Sequence, residues 1–531
     1  MTKNASIGEE WAARFENLLG EEETHTHPAE RGPPGIVAEG LEALTPAEMA
    51  KADELTIAAG ASGLALMERA GVAIADVVRR HLPPGSRVLV LTGPGNNGGD
   101  GFIAARILAD NNYAVTIGTL APREKLTGDA AAAAALWTGN TKILAADIPL
   151  DVDVVVDALF GAGLDRPIEG VAAQVIEAVN RSGVPVVAAD LPSGVNGRTG
   201  QVMGIAVNAT ESVTFFRVKP GHLLHPGKLR AGRLTVADIG ISGQTLDSIR
   251  PKTWRNRPGL WVVPPLAPDG HKYTRGHTVV VSGPATRTGA ARLAARAALR
   301  VGSGLVTLAS PLESLSANAA HITAIMLAPM NGTSGLGAIL GDTRRNVVVL
   351  GPALGVGKPT ADLVEVALLS SAAVVIDADG LTSFAGRAKS LFALVKARAG
   401  PVVLTPHEGE FARMFPHLAA NDSKIERARM AAAESGAVVV LKGPDTVVAS
   451  PDGHAAVADN APPQLGTAGS GDVLAGMVGG LLAQGMAAFG AASAAVWLHG
   501  EAGTTKGRGL IAEDLPEALP AVFAALAERA R

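Results

Sequence analysis

The chain has 531 residues, a length that at roughly 100–200 residues per domain argues for two or more domains. Its 46 basic and 50 acidic residues leave a formal charge of -4, which excludes the electrostatic footprint of a nucleic-acid-binding surface. Zero cysteine excludes disulfides, thiolate nucleophiles and cysteine-ligated metal centres. With 63 Gly but only 5 Trp, 2 Tyr and 11 Phe, the interior must be Ala, Val and Leu, as suits α/β layers in which helices sit close to a sheet.

Residues 1–40 are acidic, contain the Pro33-Pro34-Gly35 cluster and lack an apolar signal region. They are read as a flexible tail on a cytoplasmic protein, with His25 and His27 solvated rather than metal-bound. Thr45-Pro46-Ala47-Glu48 then has the order of an N-cap, a first-turn proline and an early acid, and a helical region is predicted from there towards His81.

Short Val-rich runs at 87–92, 114–119, 152–157 and 184–189 alternate with Ala-rich stretches of helical length, and runs at 211–216 and 232–238 extend the series. This pattern predicts a parallel, doubly wound sheet. Residues 241–264, rich in Arg and Pro and poor in periodicity, are expected to link a first domain at 41–240 to a second at 265–531. The second series has its runs at 278–282, 305–309, 347–350, 374–377, 402–405 and 438–441. Near the end, the uncharged stretch 473–498 is long enough to raise a membrane helix. Its glycines and Gln484 divide it, so it is read as two buried helices joined by a turn at 484–490, and no membrane partner is expected.

In open α/β sheets the loops after the strands carry the chemistry. The loop Gly93-Pro94-Gly95-Asn96-Asn97-Gly98-Gly99-Asp100-Gly101 holds G-x-G-x-x-G between a strand and a helix, where backbone N–H groups can meet a phosphate. No acid for a ribose ends the next strand, so a plain dehydrogenase fits poorly. A tight turn accounts for one of the two Asn but not for Asn96, Asn97 and Asp100 together. Two further loops, 157–167 and 190–194, should meet the first on one edge. Asp157 and Asp190 at strand ends read equally as helix caps or, with Asn and Ser nearby, as an all-oxygen nest for a hard cation.

The motifs GPGNNGGDG, VDALFGAGL, DLPSG and Lys219-Pro220-Gly221 together resemble the NAD(P)H-hydrate epimerase family, over about residues 41–240. That family acts on NADHX and NADPHX, in which water has added across the 5,6 double bond of the nicotinamide ring. The resemblance implies that Asn96, Asn97, Gly98, Gly99 and Asp100, with Gly161, Ala162, Gly163, Leu164, Asp165, Arg166 and Pro167, bind the hydrate. It implies that Asn97, Asp157 and Ser193 ligate potassium and that Asp190 is the acid-base group. Arg69 stands where the family commonly has Asn.

In the second half, Thr467-Ala468-Gly469-Ser470-Gly471-Asp472 precedes the apolar helix, leaving its first N–H groups open to an anion. A simple cap would need one such residue rather than six. Asp377 and Asp379 are read as magnesium ligands or as caps. The A-G-S-G-D element resembles the ribokinase-like superfamily. With His271-Lys272, Thr288-Gly289-Ala290-Ala291, the 351–355 loop GPALG, DADGL, LTPHEGEF and LKGPDT, the resemblance narrows to the ADP/ATP-dependent NAD(P)H-hydrate dehydratase family over roughly 265–530.

It implies Asp472 as the base, and Gly471 with Lys442, Gly443, Pro444, Asp445 and Thr446 as the site for ADP or ATP with Mg2+. Ala290, Gly355, His407 and Asp472 would bind the hydrate. The helix N-terminus is expected to hold the Asp472 pKa low. The expected fold class is therefore α/β in two domains, an N-terminal Rossmann-like doubly wound sheet and a C-terminal ribokinase-like α/β/α domain. The expected protein is a bifunctional hydrate-repair enzyme and a homo-oligomer. The rival reading is a small-molecule kinase with an accessory binding domain.

Overall fold

The computed structural model describes residues 40–529, and the acidic segment with His25 and His27 lies outside them. Two compact units divide between Arg255 and Asn256.

In the first unit the expected helical region is two helices, Pro46–Ala58 and Gly63–His81. Thr45 and Glu48 form a capping box, with the Glu48 carboxylate accepting from the Thr45 N–H at 2.7 Å, and Ser62 caps the second helix. The sheet comprises β1 (Arg87–Thr92), β2 (Ala114–Thr119), β3 (Thr141–Ile143), β4 (Val154–Ala158), β5 (Val186–Ala189), β6 (Glu211–Phe215) and β7 (Arg233–Ala237).

Its order is β3-β2-β1-β4-β5-β6-β7, and every pair is parallel. Along β1 the side chains alternate: Val88 and Val90 join the core under Gly63–His81 and Asn96–Asp110, while Leu89 and Leu91 join the core under Gly170–Ser182. The order reverses between β1 and β4, so the loops that follow them part and leave a crevice.

Residues 241–264, expected as a linker, are folded. Leu246 of the helix Thr245–Ile249 is buried in the first core, Trp254 of β8 (Thr253–Arg255) is buried and bridges Glu42, and beyond the boundary the Trp261 indole donates to Asn256 at 2.8 Å. The division thus falls inside this stretch.

The second unit contains β9 (His277–Val281), β10 (Leu305–Pro311), β11 (Met326–Met330), β12 (Val347–Leu350), β13 (Ala373–Ile376), β14 (Val402–Leu404), β15 (Val438–Leu441), β16 (Val447–Ala449) and β17 (Ala455–Val457). They run in the order β11-β10-β9-β12-β13-β14-β15-β16-β17, parallel as far as β15 and antiparallel after it.

The apolar stretch forms two helices, Ser470–Ala483 and Ala488–Lys506, and no helix among the described residues is long and apolar enough to cross a membrane. Ser470–Ala483 packs on β9, β12 and β13 and on the helix Gly289–Arg300. The approach is close: a Cβ on Gly476 would run into the Ala294 backbone, and one on Gly479 into Val349.

Candidate active sites

The first crevice is a cleft of about 590 Å³. Asn96, Asn97, Asp100, Asp190 and Lys219 line it, together with residues 161–166 and the apolar face of Pro46–Ala58. The helix Asn96–Asp110 starts there with Gly95 as an N-cap that offers no side chain, so its first N–H groups are open to an anionic ligand. Gly98 and Gly99 lie behind the lining, packed on Gly93 and Met67, and Pro167 stands outside it.

Asp190 ends β5 in the left-handed region, at φ +61°. That turn aims its carboxylate at three donors: the Ala162 N–H at 3.0 Å, the Thr214 hydroxyl at 2.9 Å and the fully buried Lys219 ammonium at 2.7 Å. Burial pushes the Asp190 carboxyl up, but Lys219 and the hydrogen bonds outweigh it and hold the group below its ordinary value. His222 braces the turn. Its Nδ1 accepts from the Lys219 N–H at 2.9 Å, so the ring proton sits on Nε2, which donates to the Asp190 carbonyl at 2.8 Å. Burial lowers the His222 pKa to about 4, so the ring is neutral at physiological pH.

Asp157 and Ser193 meet directly. The Ser193 hydroxyl donates to Asp157 Oδ1 at 2.6 Å, the Ser193 N–H donates to Oδ2 at 2.8 Å, and the Phe160 N–H donates to the hydroxyl oxygen. Burial raises the Asp157 pKa to about 6. The Asn97 amide is buried with its nitrogen unpartnered. Arg69, the departure from the Asn common at its position, donates to the Ile239 carbonyl at 2.9 Å and pins the segment after β7.

In the second unit Lys442, at the end of β15, is half-buried and ion-paired to Asp377 at 2.7 Å, with Glu410 at 4.0 Å. Burial lowers its pKa, but Asp377 and Glu410 outweigh that and the net shift is upward. A Cβ on Gly471 would lie 3.4 Å from the Lys442 ammonium, which sets the first turn of Ser470–Ala483 against that cation.

Asp472 is in that turn. Its pKa is raised to about 6, first by burial and then by the Asp377 charge, with Lys442 opposing. This differs from the expectation of a low value: desolvation and a like charge push the group up. Asp377 and Asp379 are not a free pair, since Asp379 accepts from the Gly355 N–H at 2.8 Å and so fixes the 351–355 loop. Among the described residues no cluster of three His or carboxylate side chains stands ready for a metal.

The 442–446 turn is closed by Thr446, which hydrogen-bonds Gly443 in both directions, and Pro444 is at its exposed tip. Asp445, expected at the nucleotide, has its carboxylate in a buried ion pair with Lys424 at 2.6 Å, leaving only its backbone for a ligand. The Lys442 N–H donates to the Pro406 carbonyl, which brings the 405–410 loop alongside. There His407 caps the helix Glu408–Met414 through Nδ1 while most of its ring stays exposed. Ala290 opens the helix Gly289–Arg300, whose Leu293 lies against Gly469.

Residues 63–221 match the family described as YjeF-related protein N-terminus, and residues 278–520 match the NAD(P)H-hydrate dehydratase family. Over 521 residues the chain is 36% identical to the bifunctional NAD(P)H-hydrate repair enzyme Nnr of Moorella thermoacetica, covering 91% of this chain and 97% of that one. The chain belongs to the bifunctional NAD(P)H-hydrate repair enzymes.

Its likeness to the Nnr of Thermofilum pendens is 34%, over 87% of this chain and 92% of the relative, and to that of Mycobacterium tuberculosis 35%, over 82% and 88%. Among solved structures, the ADP/ATP-dependent NAD(P)H-hydrate dehydratase of Bacillus subtilis, co-crystallised with ATP/Mg2+, is 28% identical with a TM-score of 0.44, covering 49% of this chain and 94% of that one. A kinase with an accessory module does not fit a repair enzyme that aligns with these bifunctional relatives across both halves.

Sequence reasoning named the KPG motif of this repair enzyme without giving Lys219 a role. It missed His222, Thr214 and Asp53. The signal for Lys219 was available, since a lysine between strand residues and a Pro-Gly turn has no solvated helix face to occupy.

Proposed function

We propose that the first unit interconverts the R and S hydrates of NADH and NADPH, and that the second dehydrates the S hydrate with ADP or ATP and Mg2+. The observation that carries this reading is the tuned Asp190 in its cleft beside a phosphate-ready helix start. An ionised carboxylate can take the proton of the C6 hydroxyl, and the acid so formed can hand one back. Either reversible loss of that hydroxyl or ring opening then erases the stereocentre.

Asn97, Asp157 and Ser193 supply the charge and neutral oxygens for one monovalent cation: Asp157 carries a single negative charge whose burial is costly, Ser193 keeps a lone pair, and the Asn97 amide brings a neutral oxygen. Potassium there would neutralise the buried carboxylate.

In the second unit Asp472 takes the C6 hydroxyl proton as that oxygen attacks the terminal phosphorus of the nucleotide, whose bridging P–O bond breaks and releases AMP from ADP or ADP from ATP. The phosphorylated C6–O bond then breaks, its electron pair leaving with phosphate, and loss of a C5 proton restores the 5,6 double bond. Hydroxide is a poor leaving group and phosphate a good one, which is why a nucleotide is needed. Lys442 and the open N–H groups at Gly471 hold phosphate charge, and magnesium would enter with the phosphates against Asp377, as a cation that needs only one or two protein carboxylates. Ala290, Gly355 and His407 are assigned to the hydrate, and the cytoplasm is the compartment that suits this substrate pool.

The test is to supply mixed NADHX epimers with ADP or ATP and follow NADH absorbance while resolving the epimers by chromatography. Recovery of both epimers as NADH is expected, and consumption of S alone at the spontaneous epimerisation rate would sink the first assignment.

A further inference from the structure

We propose that Asp53 is the proton donor that works opposite Asp190 in the first cleft. This rests on the epimerase reading above and adds a second reacting group to it. Pro46, Met49, Ala50, Asp53 and Ile57 follow the spacing of one helical face, and all five line the cleft. A single carboxyl group therefore sits in the middle of an apolar face turned towards ligand space. Among the described residues none donates a hydrogen bond to it, whereas Asp190 has three donors.

The two environments separate the groups. Burial, with the Asp190 charge adding to it and Lys219 opposing, raises the Asp53 pKa to about 6, while Asp190 is held low. Asp100 is raised as well, by burial and then by the charges of Asp190 and Asp53, with Lys219 opposing, so it offers Asp53 no cation to favour ionisation. Asp129, Asp165 and Arg166 are the other charged groups on the cleft wall, and Asp247 lies on the helix Thr245–Ile249 packed against the Asp53 helix. Two carboxyls driven apart in one site divide naturally into an acid and a base.

The reaction requires both. As the C6–O bond breaks, its electron pair goes to oxygen, Asp53 gives that oxygen a proton, and water departs. The N1 lone pair forms the C6=N1 bond of a cation that the surrounding carboxylates stabilise. Water then adds to C6 from the other face and Asp190 takes its proton. Exchange with solvent returns the proton from Asp190 to Asp53, and the reverse reaction uses the same two groups in exchanged roles.

The test uses the full chain with Asp53→Asn, measuring epimer interconversion across pH, dehydration of the S hydrate with ADP, and the unfolding midpoint. Expected are a fall in kcat of about 100-fold or more with KM changed little, loss of the alkaline limb that marks deprotonation of the donor, and unchanged dehydration. The midpoint should be unchanged or higher, because an ionisable group without a donor is removed. Partial recovery is expected in Asp53→Glu. An Asp53→Asn protein that epimerises within a few-fold of wild type, or one whose loss of activity follows a lowered midpoint, overturns the proposal. A wild-type chain that does not accelerate interconversion removes the epimerase reading and this donor with it.

Discussion

The Asp190 carboxylate has three donors, and only one of them, the Lys219 ammonium, carries charge. Replacing it by Lys219→Met leaves a buried carboxylate with neutral donors, so the Asp190 pKa should rise and epimerisation at neutral pH should fall, with recovery as pH is raised. A depressed acid contributes stability that is present above its unfolded pKa and lost as pH falls through its lower folded value. Wild type should therefore show an acid-linked loss of stability at low pH that Lys219→Met lacks, and the variant should be destabilised at pH 7 by about 3–5 kcal/mol, as for a broken buried ion pair. Denaturation curves taken from pH 7 down to about pH 2 compare the two.

Asp472 gives the opposite profile. With its pKa raised to about 6, it is protonated below that value, so nucleotide-dependent NADH recovery should climb through pH 6 and level off above it. A rate independent of pH from 5 to 8 would remove it as the base.

At the scale of elements, Ser193 and Asp157 tie the ends of β4 and β5, and the tie holds a carboxyl whose ionised form the fold disfavours. A raised acid loses stability as pH climbs from its unfolded to its folded pKa. In a buffer whose only cation is tetramethylammonium, the unfolding midpoint should fall between about pH 4 and 6. At pH 7.5 potassium should restore it, by about 2.7 kcal/mol at a hundred times its dissociation constant, and Asp157→Asn should not respond.

The helix Ser470–Ala483 makes a different demand. Gly476→Ala places a methyl group against the Ala294 backbone and should cost about 1–3 kcal/mol, seen as an earlier loss of dehydratase activity in urea.

The central strands of both sheets were legible because they are buried on both faces and so read as unbroken Val runs. β3, β16 and β17 were missed because three residues are too few to show a period, and β11 because Pro329 interrupts it. The ordered residues within 241–264 were illegible for a related reason: Leu246, Trp254 and Trp261 are buried one at a time rather than as a run. In the sites, glycine-rich loops announce themselves, whereas Asp53 looks like any helix surface acid until the cleft is seen.

At the scale of the whole molecule, Asp190 lies in one unit and Asp472 in the other, so the two proposed reactions should be separable by single substitutions. Asp472→Asn should abolish NADH recovery while the epimers still interconvert. Asp190→Asn should recover NADH from the S epimer and leave R to its slow spontaneous conversion. Chromatography of both epimers over time, with and without nucleotide, decides, and either variant silencing both reactions in a folded protein would refute independent sites.

Thr214, Lys219 and His222 all belong to one short segment, β6 and the turn after it, yet each acts on Asp190 at the end of β5. The acidity of the proposed reacting group is thus written in a neighbouring stretch of chain, about as far from it in sequence as a whole supersecondary unit. A relative could keep the Asp-Leu-Pro-Ser-Gly loop letter for letter and still be silent if the later lysine were lost. Judging which relatives retain epimerase activity therefore calls for reading positions 190 and 219 as one character.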